Sequence, residues 1–301
     1  MIYPNFLNIG AAKSGTTSLY YYLKQHPQIY MSPLKETNFF VYENMKIDHI
    51  WWGGNPRALL RSITNIENYF EQFNEVKDEI AIGEASPLYL YHPNAPDRIK
   101  HYIPDTKLIA ILRNPADRAF SHYTNLMMDN REPCLSFEEA LEEENRRMQD
   151  NWTWDYFYRD MGFYYKQLKR YYKRFDTSKI LIILYDDLLN NEFNLCRSIY
   201  QFLGVDENYL PDISERINVS GVPRNKFLYR FIRYPNPVKS VTKYIFPKRF
   251  RKEVRMRIQS KNLKKITINV DTRRRLLDDY RIDILKLQDL IQRDLSFWLE
   301  Y

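Results

Sequence analysis

The stretch from Phe6 to Leu23 constrains this chain more than any other: Phe-Leu-Asn-Ile-Gly-Ala-Ala-Lys-Ser-Gly-Thr-Thr-Ser-Leu-Tyr-Tyr-Tyr-Leu. Phe6 to Ile9 is a short apolar run suited to a buried strand. Gly10 and Gly15 bracket a loop that holds Lys13 and Ser14, and Thr16, Thr17 and Ser18 are residues of the helix-capping type. Leu19 and Leu23 then fall four apart, as on one face of a helix. Strand, glycine loop, hydroxyls and helix make up the layout of a phosphate cradle. Glycines let the backbone come close to an anion, and a helix start offers unpaired N–H groups and a positive dipole end. The spacing is close to a Walker A loop, Gly-x-x-x-x-Gly-Lys-Ser/Thr. Here, however, Thr16 follows the second glycine and the lysine, Lys13, stands inside the loop. A plain strand–turn–helix corner leaves a lysine between two glycines, followed by three hydroxyl residues, without a reason.

Other continuous apolar runs alternate with helical patterns. Ile29 to Met31, Ile80 to Gly83, Lys107 to Leu112 and Lys179 to Tyr185 read as strands. Residues 68–74, 95–102, 116–128, 161–175 and 193–203 read as helices, and 271–301 as a closing helix anchored by Trp298. The pattern from Phe137 to Met148 is helical but heavily acidic, which predicts an exposed helix. Buried strands separated by helices predict an α/β fold with a P-loop-like central parallel sheet flanked by helices on both faces. In such sheets ligands bind at the carboxyl ends of the strands. The Gly10 loop, Glu84 to Ser86 and Arg113 each follow a strand directly, so they converge at one edge. Arg113 with Ser121 eight residues on offers a guanidinium fork plus a hydroxyl, a good phosphate site. The alternative is a local pair between Arg113 and Asp117.

Gly10-x-x-Lys13-x-Gly15-Thr16-Thr17 after an N-terminal strand resembles the 5′-phosphosulfate loop of sulfotransferases that use 3′-phosphoadenosine 5′-phosphosulfate (PAPS). Further points of resemblance are Lys35-Glu36 with Phe39-Phe40, Arg113 with Ser121, Gly162 to Leu168, Ser220 to Arg224, and the closing Leu/Tyr helix. The resemblance implies one sulfotransferase domain over 1–301, with a basic segment at 227–270 and the closing helix at 271–301. It implies that Lys13, Ser14, Gly15, Thr16, Thr17, Ser18, Arg113, Ser121, Arg224 and Lys226 bind the nucleotide, the Arg–Ser pair holding its 3′-phosphate. The heparan-sulfate-type branch uses a Glu ahead of a Phe-Phe pair as general base, and Glu36 matches it; the alternative is an exposed acid or helix cap. That branch also carries a lysine in Glu-Lys-x-Pro-x-Tyr, whereas this chain reads Glu84-Ala85-Ser86-Pro87-Leu88-Tyr89. Lys35 then stands as a candidate second cation. The expected co-substrate is PAPS, with no metal required. The expected partner is an acceptor hydroxyl, or less readily an amine, on a carbohydrate, lipid or small metabolite.

Two readings compete with this one. A P-loop small-molecule kinase needs an acid at a neighbouring strand end for magnesium, but the strand 107–112 runs into Arg113. A nucleic-acid-binding protein would rest on the basic segment. Residues 239–265 carry eleven Lys/Arg and one acid, Glu253, so +10 of the chain's net +7 is there and the remainder sums to −3. That segment suits an acidic partner, or is a solvated face. Cys134 and Cys196 have no metal-ligand spacing, and the His residues at 26, 49, 92, 101 and 122 form no close cluster. The early first strand leaves no room for a signal peptide, and no apolar run of about 18 residues is present. A cytoplasmic protein is the expectation.

Overall fold

A computed structural model describes residues 2–45, 61–213, 222–223, 263–264 and 266–300. Its centre is a five-stranded sheet of β1 (Phe6–Gly10), β2 (Ile29–Met31), β3 (Ala81–Ala85), β4 (Lys107–Leu112) and β5 (Ile180–Leu184). The order is β2-β3-β1-β4-β5, and every neighbouring pair is parallel. The chain leaves β1 for one edge, returns through β3, then crosses to β4 on the other side of β1. The end of β1 is therefore the topological switch point, where the crossovers diverge and leave a crevice.

Both faces of the sheet are covered, which is why the strands read as continuous apolar runs. Leu7, Ile9, Leu108, Ala110 and Leu112 point into one core. Phe6, Ile109, Ile111 and Ile183 point into the other, against Leu19 and Leu23 of α1 (Thr16–Leu23). The first core is closed by α2 (Phe39–Tyr42), α3 (Ile66–Glu71), α4 (Leu88–Tyr91) and α5 (Ala95–Tyr102), which carry buried aromatic and aliphatic side chains. In α6 (Pro115–Met128) the cap is Asn114, whose Oδ1 accepts from the N–H groups of Ala116 (3.0 Å) and Asp117 (3.3 Å).

The acidic pattern from 137 to 148 forms two short helices, α7 (Phe137–Glu142) and α8 (Glu144–Gln149), and they are not simply exposed. Glu144 is buried, and its carboxylate accepts from the backbone N–H groups of Arg159 (2.7 Å) and Asp160 (2.8 Å). Arg147 is buried in a two-pronged pair with Glu132, at 2.6 and 3.0 Å. Charge density misled here because these acids have partners far off in sequence.

The helix expected over 161–175 is a 3-10 turn, Asp160–Gly162, followed by α9 (Tyr164–Tyr172). Gly162 is where the break falls: a Cβ there would lie 2.6 Å from the Tyr280 hydroxyl. Past the strand β5 come α10 (Tyr185–Asn190) and α11 (Glu192–Leu203), which is closed by Gly204. Val222–Pro223 and Leu263–Lys264 pair antiparallel as a separate two-stranded ladder. The closing helix, α12 (Val270–Ile291), ends at Gln292 in the left-handed conformation, and a 3-10 turn over Ser296–Leu299 then buries Trp298. Arg293 pairs with Asp187 at 2.8 and 3.0 Å, and the Trp298 carbonyl accepts from Asn114 Nδ2 at 2.9 Å. The end of the chain thus braces the segments that follow β4 and β5.

Candidate active site

The loop after β1 turns at Lys13, whose φ is 68°, and at Gly15, whose φ is 96°. At Gly15 the missing side chain serves packing as well as conformation: a Cβ would sit 2.7 Å from Leu188 Cδ2. Glycine here lets the loop lie against α10. Gly15 is also the N-cap of α1, which has no side-chain cap and no acid in its first turn. Among the described residues no side chain caps the leading N–H groups of that helix, whose positive dipole end suits an anion. Ser14 and Thr16 are buried, and Thr17 and Ser18 half-buried, at this helix start.

Two cations meet at this loop. Lys13 Nζ donates to Asn125 Oδ1 at 2.8 Å, which ties the loop to α6. Arg113, directly after β4, donates from Nη1 to the Lys13 carbonyl at 3.3 Å. Its guanidinium lies 4.8 Å from the centre of the Tyr185 ring, the first residue after β5. The alternative partner Asp117 instead faces Arg273 of α12, 3.5 Å away. Ser121 is buried on α6 one turn before Asn125, so it shares the face that receives Lys13. The Tyr164 hydroxyl, from α9, is buried beside Ser14 and the Arg113 backbone, and burial raises its pKa.

The segment after β2 brings Lys35 and Glu36 to the same edge. Their side chains form an ion pair, and the Glu36 side chain is about half exposed, at 48%. The Glu36 N–H donates to the Ala85 carbonyl at the end of β3 (3.1 Å), and its φ of 65° places it in the left-handed region. Phe39 and Phe40 are wholly buried, Phe39 stacking on Tyr69 with ring centres 4.7 Å apart. Beneath them Glu84 is wholly buried, and desolvation pushes its carboxyl up to about 7.

Arg224, Lys226 and most of the basic segment 239–265 lie outside the described residues. Of the histidines, His122 is buried against the Tyr158 ring. Burial first and the neighbouring Arg118 second push its pKa well down. Among the described residues no three His, Cys, Asp or Glu side chains cluster as a metal set. Asn125, Tyr164 and Tyr185 were missed in the sequence. Tyr185 carried a usable signal, since it closes the apolar run from Lys179 much as Arg113 follows the run from Lys107. Tyr164 stands among aromatic residues that pattern alone assigns to packing.

A parallel sheet with a lysine loop, an uncapped helix start and a strand-end arginine at its switch point is the layout of an α/β protein whose crevice suits an anionic ligand. The model of the sulfotransferase family matches residues 4–209, and the chain belongs to that family. The solved structure of a sulfotransferase from Alicyclobacillus acidocaldarius is similar over 100% of both chains, with a TM-score of 0.79 and 31% identity. A membrane-associated sulfotransferase of Dictyostelium discoideum is 36% identical over 146 residues, 47% of this chain and 28% of that protein. The mouse bifunctional heparan sulfate N-deacetylase/N-sulfotransferase 4 is 29% identical over 214 residues, 68% of this chain and 23% of that protein. The chain spans about a quarter of the length of these two curated relatives. No helix among the described residues is long and apolar enough to cross a membrane.

Proposed function

We propose that this chain transfers the sulfuryl group of PAPS to a hydroxyl of a carbohydrate or small-molecule acceptor, less readily to an amine. The observation that carries this reading is the joining of Lys13 and Arg113 at an uncapped helix start. Such a cradle fits a phosphosulfate better than a magnesium-bound triphosphate, because β4 leads into Arg113 rather than an acid. The co-substrate supplies an activated sulfuryl group. Lys13 neutralises charge gathering on the phosphate that leaves as sulfur moves to the acceptor oxygen. The first N–H groups of α1, with Ser14 to Ser18, orient that phosphate. Arg113 and Ser121, joined by Arg224 and Lys226, hold the 3′-phosphate. Glu36 takes the acceptor proton while Lys35 supplies a second cation beside it. One S–O bond forms, one breaks, and the proton ends on the Glu36 carboxyl.

Heparan sulfate and carbohydrate appear in the names of several relatives, which supports a sugar hydroxyl. Ala85 in place of a lysine leaves the acceptor side with less positive charge than the heparan-type pattern. This favours an acceptor less anionic than a glycosaminoglycan. We place the whole chain in one domain acting in the cytoplasm, in keeping with two free buried thiols, Cys134 and Cys196. Cell fractionation tests the location, and limited proteolysis leaving one protected core tests the domain.

The decisive assay is transfer of labelled sulfate from PAPS to a panel of sugar, lipid and small-metabolite acceptors. Glu36→Gln keeps the shape of the base but cannot take a proton. It should lower turnover about a hundredfold or more, with nucleotide affinity little changed. Normal turnover in Glu36→Gln would leave Glu36 a surface acid and remove it from the mechanism.

A further inference from the structure

Glu84 is a buried acid, and no cation pairs with it among the described residues. Four hydroxyls face it: Ser86 from its own strand end, Tyr89 from α4, Tyr69 from α3, and Thr37 from the segment after β2. Its Oε2 accepts from Ser86 Oγ at 2.7 Å, and its Oε1 accepts from the Tyr89 hydroxyl at 2.6 Å, with Tyr69 farther off at 3.5 Å. Both close donors also hold the segment that carries Glu36. Ser86 Oγ accepts from the Asn38 N–H at 3.1 Å, and the Tyr89 hydroxyl lies 3.0 Å from Thr37 Oγ1.

The segment needs holding. Glu36 and Asn38 both have positive φ, 65° and 51°. Asparagine takes up left-handed backbone readily, but a glutamate held there persists only where the surroundings over-determine it. Phe39 and Phe40 fix the segment on its far side by packing. Glu84 fixes it from beneath, through the Ser86 and Tyr89 hydroxyls.

We propose that Glu84 is a positioning residue: through the Ser86 and Tyr89 hydroxyls it clamps residues 37 and 38, and so sets where Glu36 presents its carboxylate. This rests on the sulfotransferase reading for its functional consequence, though not for the clamp. The direction of the hydrogen bonds depends on Glu84 being ionised. An ionised carboxylate only accepts, so Ser86 and Tyr89 must both donate to it and offer their lone pairs to Asn38 and Thr37. A protonated carboxyl donates from one oxygen and turns one of those hydroxyls round. Burial raises this carboxyl to about 7, so the hydrogen-bond arrangement of the clamp changes as pH passes through neutrality.

The test is hydrogen exchange across residues 36–40, read beside turnover and beside binding of 3′-phosphoadenosine 5′-phosphate. Glu84→Gln offers one accepting oxygen for two donors. Exchange of the 37–40 amides should quicken by about tenfold or more, and turnover fall about tenfold. Affinity for 3′-phosphoadenosine 5′-phosphate should stay within about twofold, because Lys13 and Arg113 are tied to each other and to Asn125 on the β4 side of β1, not to the Glu84 cluster. The wild-type profile of kcat against pH should bend near 7, and Glu84→Gln should lose that bend. Unchanged exchange at 37–40 overturns the proposal, as does a bend that survives the substitution. Lost turnover with unchanged exchange would make Glu84 a group acting on the reacting atoms, which also overturns it. If Glu84→Gln does not fold, Ser86→Ala and Tyr89→Phe each remove one arm of the clamp. Faster exchange in both supports the proposal, and unchanged exchange in either overturns it. Failure of the wild-type protein to bind 3′-phosphoadenosine 5′-phosphate counts against the sulfotransferase reading alone, since exchange is read without any ligand.

Discussion

At the scale of single residues, Arg113 carries two duties. It steadies the loop through the Lys13 carbonyl and lies on the Tyr185 ring. The proposal gives it the 3′-phosphate, together with Ser121. A ligand lacking that phosphate then provides a clean comparison. Arg113→Ala and Ser121→Ala should each weaken 3′-phosphoadenosine 5′-phosphate by about 1.5–3 kcal/mol while hardly affecting adenosine 5′-phosphosulfate. Competition binding with the two nucleotides measures the difference. Equal losses for both would move these residues away from the 3′-phosphate. Arg113 was legible because it follows the plainest apolar strand of the chain. Asn125 was not, because nothing local to an asparagine in mid-helix says that a lysine 112 positions away donates to it.

At the scale of elements, the pair of short helices α7 and α8 shows what pattern alone cannot reach. Phe137 and Ala140 are buried, as helical spacing suggests, but so are Glu144 and Arg147. Glu132 binds Arg147 from outside either helix, along with the Cys134 N–H at 2.8 Å and the Tyr158 hydroxyl. The Arg147 guanidinium also lies 5.0 Å from the Trp152 ring. Removing the anion from this cluster leaves a buried cation, so Glu132→Gln should cost about 3–5 kcal/mol of stability in urea unfolding. The double replacement Glu132→Leu with Arg147→Met should cost much less, since no charge is then stranded. A loss below about 1 kcal/mol for Glu132→Gln would show that the pair is hydrated and supports little. The break before α9 has a similar origin. Tyr280 sits against Gly162, a contact across 118 residues that no local periodicity records.

At the scale of the whole molecule, the parallel sheet was legible because burial on both faces leaves long apolar runs in the chain. β1, β2, β4 and β5 fall within a residue of where those runs stand, and β3 runs two residues past its expected end. The order β2-β3-β1-β4-β5 was not legible, since apolar runs do not say which strand is whose neighbour. That order nevertheless fixes the site: it sets β1 between β3 and β4, bringing Lys13, Ala85 and Arg113 to one crevice. The closing helix was expected as one element to the last residue. It stops at Ile291, and the remaining turn braces the strand ends through Arg293 and Trp298. The central claim is that this crevice is built for a 3′-phosphorylated adenine nucleotide, with Lys13 at its heart. Calorimetric titration of the wild type and of Lys13→Ala with 3′-phosphoadenosine 5′-phosphate, magnesium–ATP and duplex DNA tests it most directly. The wild type should bind the first ligand one-to-one and much more tightly than the other two, and Lys13→Ala should fold normally yet bind it at least about tenfold more weakly. Tighter binding of magnesium–ATP or DNA by the wild type, or unchanged affinity in Lys13→Ala, would contradict the account.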